Sequence, residues 1–562
     1  MMRKGFVASG CVVALLAPAA ALHAQGHARP LPCAQMQGLS VPAGAIGLPT
    51  GGGQVNEAVV VPAAGSNASA APEHCRLTGT IAPVDPLAPR ITFRVALPVA
   101  WNSKGMMFGG GGFNGTVPNV AGNVPAGPTD QPTPLGRGYA TFASDSGHQA
   151  NATGSLDGQF LLNAEAERNF GGEALKKTRD AAVFLIGRHY GRGAPKRAYF
   201  AGGSTGGREA LSLAQRWPGD WDGIIAWYPA WNQLSAMLAG HRTSRALAQP
   251  GAYPNPAKRA LLRRAVLETC DLLDGVADGV VSHQSQCNAV FDPAVAQVAG
   301  APLRCAGGTD AGDACLSDAQ IAALNTMNTA TRFNFFLASG SSGYPGYNVW
   351  GASLGGAAGS SPVHPIETFL NLGTEQPAMP VPSGAPYITK QLDQVIKLGV
   401  TRNPAFDSLA LDPENPGPWA SRFSALSTQL DVGTDLTAFA ARGGKLLLAH
   451  GVSDVLVSAR ATEQYYQRLQ AQMGPARVDT FVRYYEVPGY GHAVSTVFNA
   501  TWDSLTALEN WVERGAAPRE QVTTDTVGVP GRQRPLCEYP AWPRYRGTGD
   551  VNAAASFVCT NR

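Results

Sequence analysis

Short apolar runs alternate with helical stretches through the first 230 residues of the chain. Ile91–Pro98 alternates as a strand does, and Met106-Met107-Phe108 and 138–143 form further short apolar strands. Residues 173–190 carry Ala174, Leu175, Thr178, Ala181, Ala182 and Leu185 at helical spacing. A strand at 197–201, a helix at 206–216 and a strand at 223–227 follow. The rhythm resumes later with a strand at 445–449, a helix at 458–473, a strand at 480–487 and a helix at 495–514. Strands alternating with helices predict a mostly parallel sheet covered on both faces.

The alternation is lost between about residues 231 and 435, where Gly, Pro and Ser abound and four cysteines lie. The pattern predicts one α/β core, residues 25–230 and 436–562, interrupted by an inserted module at 231–435. Insertions beyond the carboxyl ends of sheet strands commonly form lids. Residues 25–90 read as an extended, mainly β segment, and no internal repeat is visible.

The chemistry centres on Gly202-Gly203-Ser204-Thr205-Gly206, directly after the 197–201 strand. A G-x-S-x-G turn from strand to helix lifts a serine oxygen to where a substrate carbonyl can reach it. A serine hydroxyl is a weak nucleophile at neutral pH and needs a base within hydrogen-bond reach. Asp454 follows the 445–449 strand, and His492 follows the 480–487 strand. The order Ser204, Asp454, His492 on successive strand ends is that of α/β-hydrolases. His450 is a rival base, but it precedes the turn and reads as structural; His148 reads as a loop-packing residue. The run Gly109 to Gly112 can aim a backbone N–H from Gly110 or Gly111 at a developing oxyanion, paired with the N–H of Thr205. The bland reading of that run is a flexible turn.

The formal charge is +3, without long basic or acidic runs, which gives no electrostatic case for nucleic acid as a partner. Arg3 and Lys4, then an uncharged stretch ending in small residues, read as a secretory leader over residues 1–24. The mature chain is then expected to be secreted or periplasmic, off the membrane, and close to neutral at +1. Setting Cys11 aside leaves eight cysteines, an even number that fits four disulfides in an oxidising compartment. Local spacing points to Cys270–Cys287, Cys305–Cys315 and Cys537–Cys559, which leaves Cys33–Cys75. A zinc site lacks any C-x-x-C pair or clustered histidines. Asp271, Asp274 and Asp278, with the carbonyls of Val276 and Val280, offer hard oxygen ligands suited to a structural Ca²⁺. An acidic turn held by a disulfide accounts for the same residues equally well.

Taken together, the Ser204 elbow, Asp145-Ser-Gly-His148, Trp221-Asp-Gly-Ile-Ile225, the 270–280 loop, the 443–451 strand, Pro488-Gly-Tyr-Gly-His492 and Arg534-Pro-Leu-Cys537 resemble the tannase/feruloyl esterase family. That family includes mono(2-hydroxyethyl) terephthalate hydrolase. The resemblance spans nearly the whole mature chain. It implies an α/β-hydrolase core with a large inserted lid, a Ser204–Asp454–His492 triad, and calcium in the lid at Asp271, Asp274, Val276, Asp278 and Val280. It also implies hydrolysis of esters of small aromatic acids of the feruloyl or galloyl kind. One departure stands out. Many members carry cysteines just before the serine and just after the histidine, joined as a disulfide; this chain has Gly203 and Ala493 there.

Substrate contacts are expected from lid aromatics, Trp350 and Phe369. A terephthalate monoester would require a positioned arginine; Arg332 and Arg402 are available, but no motif marks either one. The competing readings are a terephthalate monoester hydrolase, a general carboxylesterase, an acyltransferase using the same acyl-enzyme and, from another class, a secreted non-catalytic calcium-binding module. Oligomeric state is not readable.

Overall fold

The computed structural model describes residues 1–2, 29–66, 68, 70–355 and 365–561. The expected leader beyond residue 2, its expected cleavage site and Cys11 lie outside the described residues.

An eleven-stranded sheet carries the fold. Its strands are β1 (Ser40–Val41), β2 (Gly53–Val61), β3 (His74–Ile81), β4 (Ile91–Pro98), β5 (Lys104–Phe108), β6 (Ala140–Ser144), β7 (Arg197–Gly203), β8 (Gly223–Trp227), β9 (Lys445–Gly451), β10 (Val482–Val487) and β11 (Cys537–Glu538). The order across the sheet is β1-β2-β3-β4-β6-β5-β7-β8-β9-β10-β11. The strands from β6 to β10 in that order are parallel, and antiparallel strands flank them on both sides.

The principal helices are α1 (Ala174–Tyr190), α2 (Thr205–Arg216), α3 (Gln233–Leu247), α4 (Pro256–Cys270), α5 (Tyr387–Gln394), α6 (Ala420–Leu430), α7 (Ala459–Met473) and α8 (Ser504–Arg514). Central strands read as unbroken apolar runs because both of their faces are buried. Phe200, Ile224, Leu446 and Leu448 face α1, α2 and α7 through Leu185, Leu211, Tyr465 and Leu469. Their neighbours Tyr199, Ile225 and Leu447 face α8 through Leu505, Leu508 and Trp511. Each such side chain gains about 1.5–3 kcal/mol from burial, so the register is tightly held.

The chain leaves the sheet after Trp227 and rejoins it at Lys445. Helices α3 to α6 lie in this excursion. One apolar cluster joins Leu261, Val266, Phe291, Leu324 and Trp350. A second joins Leu234, Met237, Leu392 and Phe423 to Phe113, Phe160 and Phe170 from the core segment, so the excursion is seated on the core.

The expected helix at 495–514 is shorter than its pattern. It begins at Ser504, with the Asp503 carboxylate accepting from Thr506 N. Ahead of it Ala500 and Thr501 pair as a short strand with Asp525 and Thr524. All four expected disulfides are present: Cys33–Cys75, Cys270–Cys287, Cys305–Cys315 and Cys537–Cys559.

Candidate active site

Ser204 stands between the end of β7 and the start of α2 with φ 59° and ψ −123°. A non-glycine residue there stores about 1–3 kcal/mol of strain, which neighbouring contacts must offset. The glycines make the turn sterically feasible. A Cβ on Gly202 would collide with the Gly206 backbone, and one on Gly206 would stand 2.7 Å from the Gly110 carbonyl.

Two loops bring the remaining groups to the serine. His492 Nε2 lies 2.9 Å from Ser204 Oγ, and His492 Nδ1 lies 2.6 Å from Asp454 Oδ2. Because Nδ1 faces a carboxylate it carries the proton, which leaves Nε2 to accept from the serine hydroxyl. Asp454 is fully buried. Its Oδ1 accepts from Leu456 N at 2.8 Å and Val457 N at 2.9 Å. Burial alone would raise its carboxyl. The His492 charge and hydrogen bonds from His450 and His492 outweigh that and hold it well below the usual carboxylate range.

His450 is also fully buried. Its Nε2 faces Asp454 Oδ2 at 3.2 Å and Val457 O at 3.0 Å, while Nδ1 lies 2.8 Å from Thr462 Oγ1. Two acceptors at Nε2 put the proton there, so Thr462 donates to Nδ1. His450 thus supports the aspartate and does not approach the serine.

The glycine run is pinned. Gly206 N donates to Gly110 O at 2.9 Å and Thr205 Oγ1 to Gly112 O at 2.7 Å. Gly110 N donates to Glu209 Oε2 at 3.1 Å. Gly110 is therefore spent on Glu209 and is corrected as an oxyanion donor. The N–H groups of Thr205 and Gly111 are not bonded to other described residues. Glu209, almost fully buried, also accepts from Asn114 Nδ2 at 2.7 Å and Ser146 Oγ at 3.2 Å. Burial pushes its carboxyl up. Sequence reasoning missed Glu209, since nothing in its spacing marks it. Ser146 explains part of the 145–148 motif. His148 packs on Phe160 with ring centroids 4.7 Å apart, and burial lowers it to about 4.

A narrow cleft opens at Ser204. Met237, Ile388, Leu456 and Val457 give it apolar walls, and Gln233, Tyr387 and Gln391 supply polar groups. Trp350 is not among these walls: it is 2% exposed and packs on Phe291, so its expected substrate contact is corrected to core packing. Phe369 is partly exposed and meets the Tyr387 ring edge-on at 5.0 Å, at the margin of the cleft. Arg332 and Arg402 are exposed and do not line it.

The acidic loop donates hard oxygens, as a calcium site requires, and its acids crowd one another. Burial, reinforced by the neighbouring acids, raises Asp271 and pushes Asp274 up to about 7. The donor set suits a divalent cation. In this structure the carboxylates turn instead to the loop's own N–H groups: Asp271 to Gly279, Asp274 to Val276 and Asp278 to Val280. Asp278 also pairs with Arg534. Among the described residues no three His, Cys, Asp or Glu side chains are gathered as a metal cluster.

The sequence model of the family described as "Tannase and feruloyl esterase" matches residues 75–560. An uncharacterized esterase of Agrobacterium fabrum is 37% identical over 540 residues, covering 94% of this chain and 93% of its own length. Mono(2-hydroxyethyl) terephthalate hydrolase of Piscinibacter sakaiensis is 34% identical over 536 residues, with 88% and 86% covered. Among solved structures, feruloyl esterase B from Aspergillus oryzae superposes with a TM-score of 0.72 at 21% identity, covering 91% of this chain and 98% of that one. Tannin acyl hydrolase from Aspergillus niger gives 0.64 at 21% identity, covering 94% and 95%. The shared fold is that of the α/β-hydrolases.

Proposed function

The chain belongs to the tannase and feruloyl esterase family of carboxylic ester hydrolases, and from that premise we propose that it is an exported serine esterase cleaving esters of small aromatic acids through an acyl-enzyme on Ser204. The observation that carries the reading is the unbroken relay from Ser204 Oγ through His492 to buried Asp454, at 2.9 and 2.6 Å.

In this mechanism His492 Nε2 takes the Ser204 proton as Oγ attacks the ester carbonyl. The resulting imidazolium is stabilised by Asp454, which stays ionised. The oxyanion is received by the N–H groups of Thr205 and Gly111; one such donor is worth about 2.7–4 kcal/mol of barrier. His492 then protonates the leaving alcohol, and water repeats the sequence to free the acid. On the same reading Asp271, Asp274 and Asp278, with the carbonyls of Val276 and Val280, would hold a calcium ion that cross-links the lid loop. Export rests on the basic and apolar leader and fits four disulfides. Among the described residues no helix is long and apolar enough to cross a membrane.

The test is hydrolysis of methyl ferulate, methyl gallate, a terephthalate monoester and p-nitrophenyl butyrate by the purified protein and by Ser204→Ala. Aromatic ester hydrolysis that disappears in the variant is the expected result. Equal activity in both would remove the reading, and activity on the butyrate alone would make the protein a general carboxylesterase.

A further inference from the structure

We propose that Gln233 is the residue that selects the acyl group, by hydrogen-bonding an uncharged hydroxyl on the substrate's aromatic ring; this rests on the esterase reading above. Gln233 opens α3 and lines the same cleft as Ser204. It is 3% exposed, yet its Oε1 has no hydrogen-bond partner among the described residues. A buried amide oxygen left unpaired costs about 1–3 kcal/mol, so such a group in a substrate cleft is poised for a ligand.

The Tyr387 hydroxyl in the same cleft is already committed. Tyr387 Oη bonds Ser155 Oγ at 3.1 Å and the Ser155 carbonyl at 3.3 Å. Met237, Ile388 and Leu456 supply apolar wall suited to a ring. None of the described side chains lining the cleft is charged. The nearest cation on α5, Lys390, lies over the Phe369 ring at 4.6 Å and donates to Ser383 O. A substrate carboxylate entering the cleft would lose its hydration without gaining a counter-charge. A phenolic hydroxyl both donates and accepts, so it satisfies the amide in either orientation. Gln233 is therefore the group that holds a ring hydroxyl, and a ring carboxylate has no counter-charge among the described cleft side chains.

The experiment compares kcat/KM for methyl 4-hydroxybenzoate, methyl benzoate and monomethyl terephthalate, and for methyl 4-hydroxycinnamate against methyl cinnamate. Each value is normalised to the ester's alkaline hydrolysis rate. A site built around a hydrogen bond to substrate rejects the analogue lacking it strongly. Wild type is expected to prefer the hydroxylated ester of at least one pair by about tenfold or more, with monomethyl terephthalate slowest. In Gln233→Leu the ratio within that pair should fall by about tenfold, whatever happens to the absolute rates. No preference in wild type, a ratio unmoved in Gln233→Leu, or fastest turnover of the terephthalate monoester would each overturn the inference. The wild-type ratios test it even if the variant does not fold. p-Nitrophenyl acetate with Ser204→Ala runs alongside. Cleavage that survives in that variant means the esterase reading has failed; loss there without a hydroxyl preference means that only the role of Gln233 has failed.

Discussion

The ring of Tyr228 lies 4.8 Å from that of His492, and it fills the space that a side chain at position 203 would occupy. A Cβ on Gly203 would stand 2.5 Å from Tyr228 Cε2. Tyr228 itself is held at φ 33°. Its ring also neighbours Tyr490, whose hydroxyl donates to Ala493 O at 2.8 Å, next to His492. Where many relatives are expected to have a disulfide, this chain has a packed aromatic. Gly203→Ala should drive Tyr228 against His492. The expected result is a kcat loss of tenfold or more and destabilisation by about 1–3 kcal/mol. Gly203→Cys with Ala493→Cys should be equally impaired unless Tyr228 is also made smaller. Full activity of Gly203→Ala in steady-state assays would show that the ring has room to move. Dithiothreitol should likewise leave the Ser204–His492 geometry untouched. Prompt loss of activity in reductant, with an unchanged circular dichroism spectrum, would count against that.

Among the described residues His450 bonds Asp454 and neither Ser204 nor His492. His450→Leu removes the donor at 3.2 Å from Asp454 Oδ2 but leaves the His492 bond. We expect kcat to fall by about tenfold with KM little changed. Ser204→Ala, by contrast, should remove nearly all of the rate, as loss of a nucleophile does. A His450 variant as inactive as Ser204→Ala would mean that His450 is the base.

Glu209 sets the glycine loop. Glu209→Ala frees Gly110 N and Asn114 Nδ2 from their acceptor. The Gly111 N–H should then lose its aim, with a cost in kcat approaching the ~2.7–4 kcal/mol of one oxyanion donor. Glu209→Gln, which keeps one oxygen, should recover part of it. Equal kcat in both variants and wild type would show that the loop is held without Glu209.

Asp145 gives the fold a pH dependence of definite sign. Burial pushes its carboxyl up to about 6, although Gln149, Gly147 and Thr92 bond it. The folded protein therefore holds this proton more tightly than the unfolded chain, whose carboxyl titrates near 3.8. Stability falls as pH rises from about 4 to about 6 and is level above that. The drop attributable to this group is of order 1–3 kcal/mol. Asp145→Asn should shrink the difference in Tm between pH 4 and pH 7. An unchanged difference would argue against the shift.

Calcium removal separates the two readings of the acidic loop. If Asp271, Asp274 and Asp278 hold an ion, chelation should lower Tm by several degrees, and Ca²⁺ should restore it better than Mg²⁺. Asp274→Asn should abolish that response. A Tm indifferent to chelator and to Ca²⁺ would leave the loop as a disulfide-held acidic turn.

Much of this was open to sequence reasoning because it is local. Apolar runs of strand length, the glycines around Ser204, and cysteine pairs 10 to 22 residues apart each express constraints over a few neighbouring residues. The order of Ser204, Asp454 and His492 was legible because each follows a strand, and parallel strands deliver their carboxyl ends to one edge. Tertiary structure alone decided what depends on distant segments meeting. Glu209 reaches Gly110 across 99 residues, and Tyr387 reaches Ser155 across 232. Trp350 looked like a lid aromatic facing substrate, but the segment between Trp227 and Lys445 has an apolar core of its own, and burial there outweighs exposure at the cleft. Nothing in the sequence marks Gln233; only the folded cleft leaves its buried oxygen without a partner among the described residues. Hydrophobic periodicity records which residues leave water, whereas the partner each one meets is set by the packing of segments far apart in the chain.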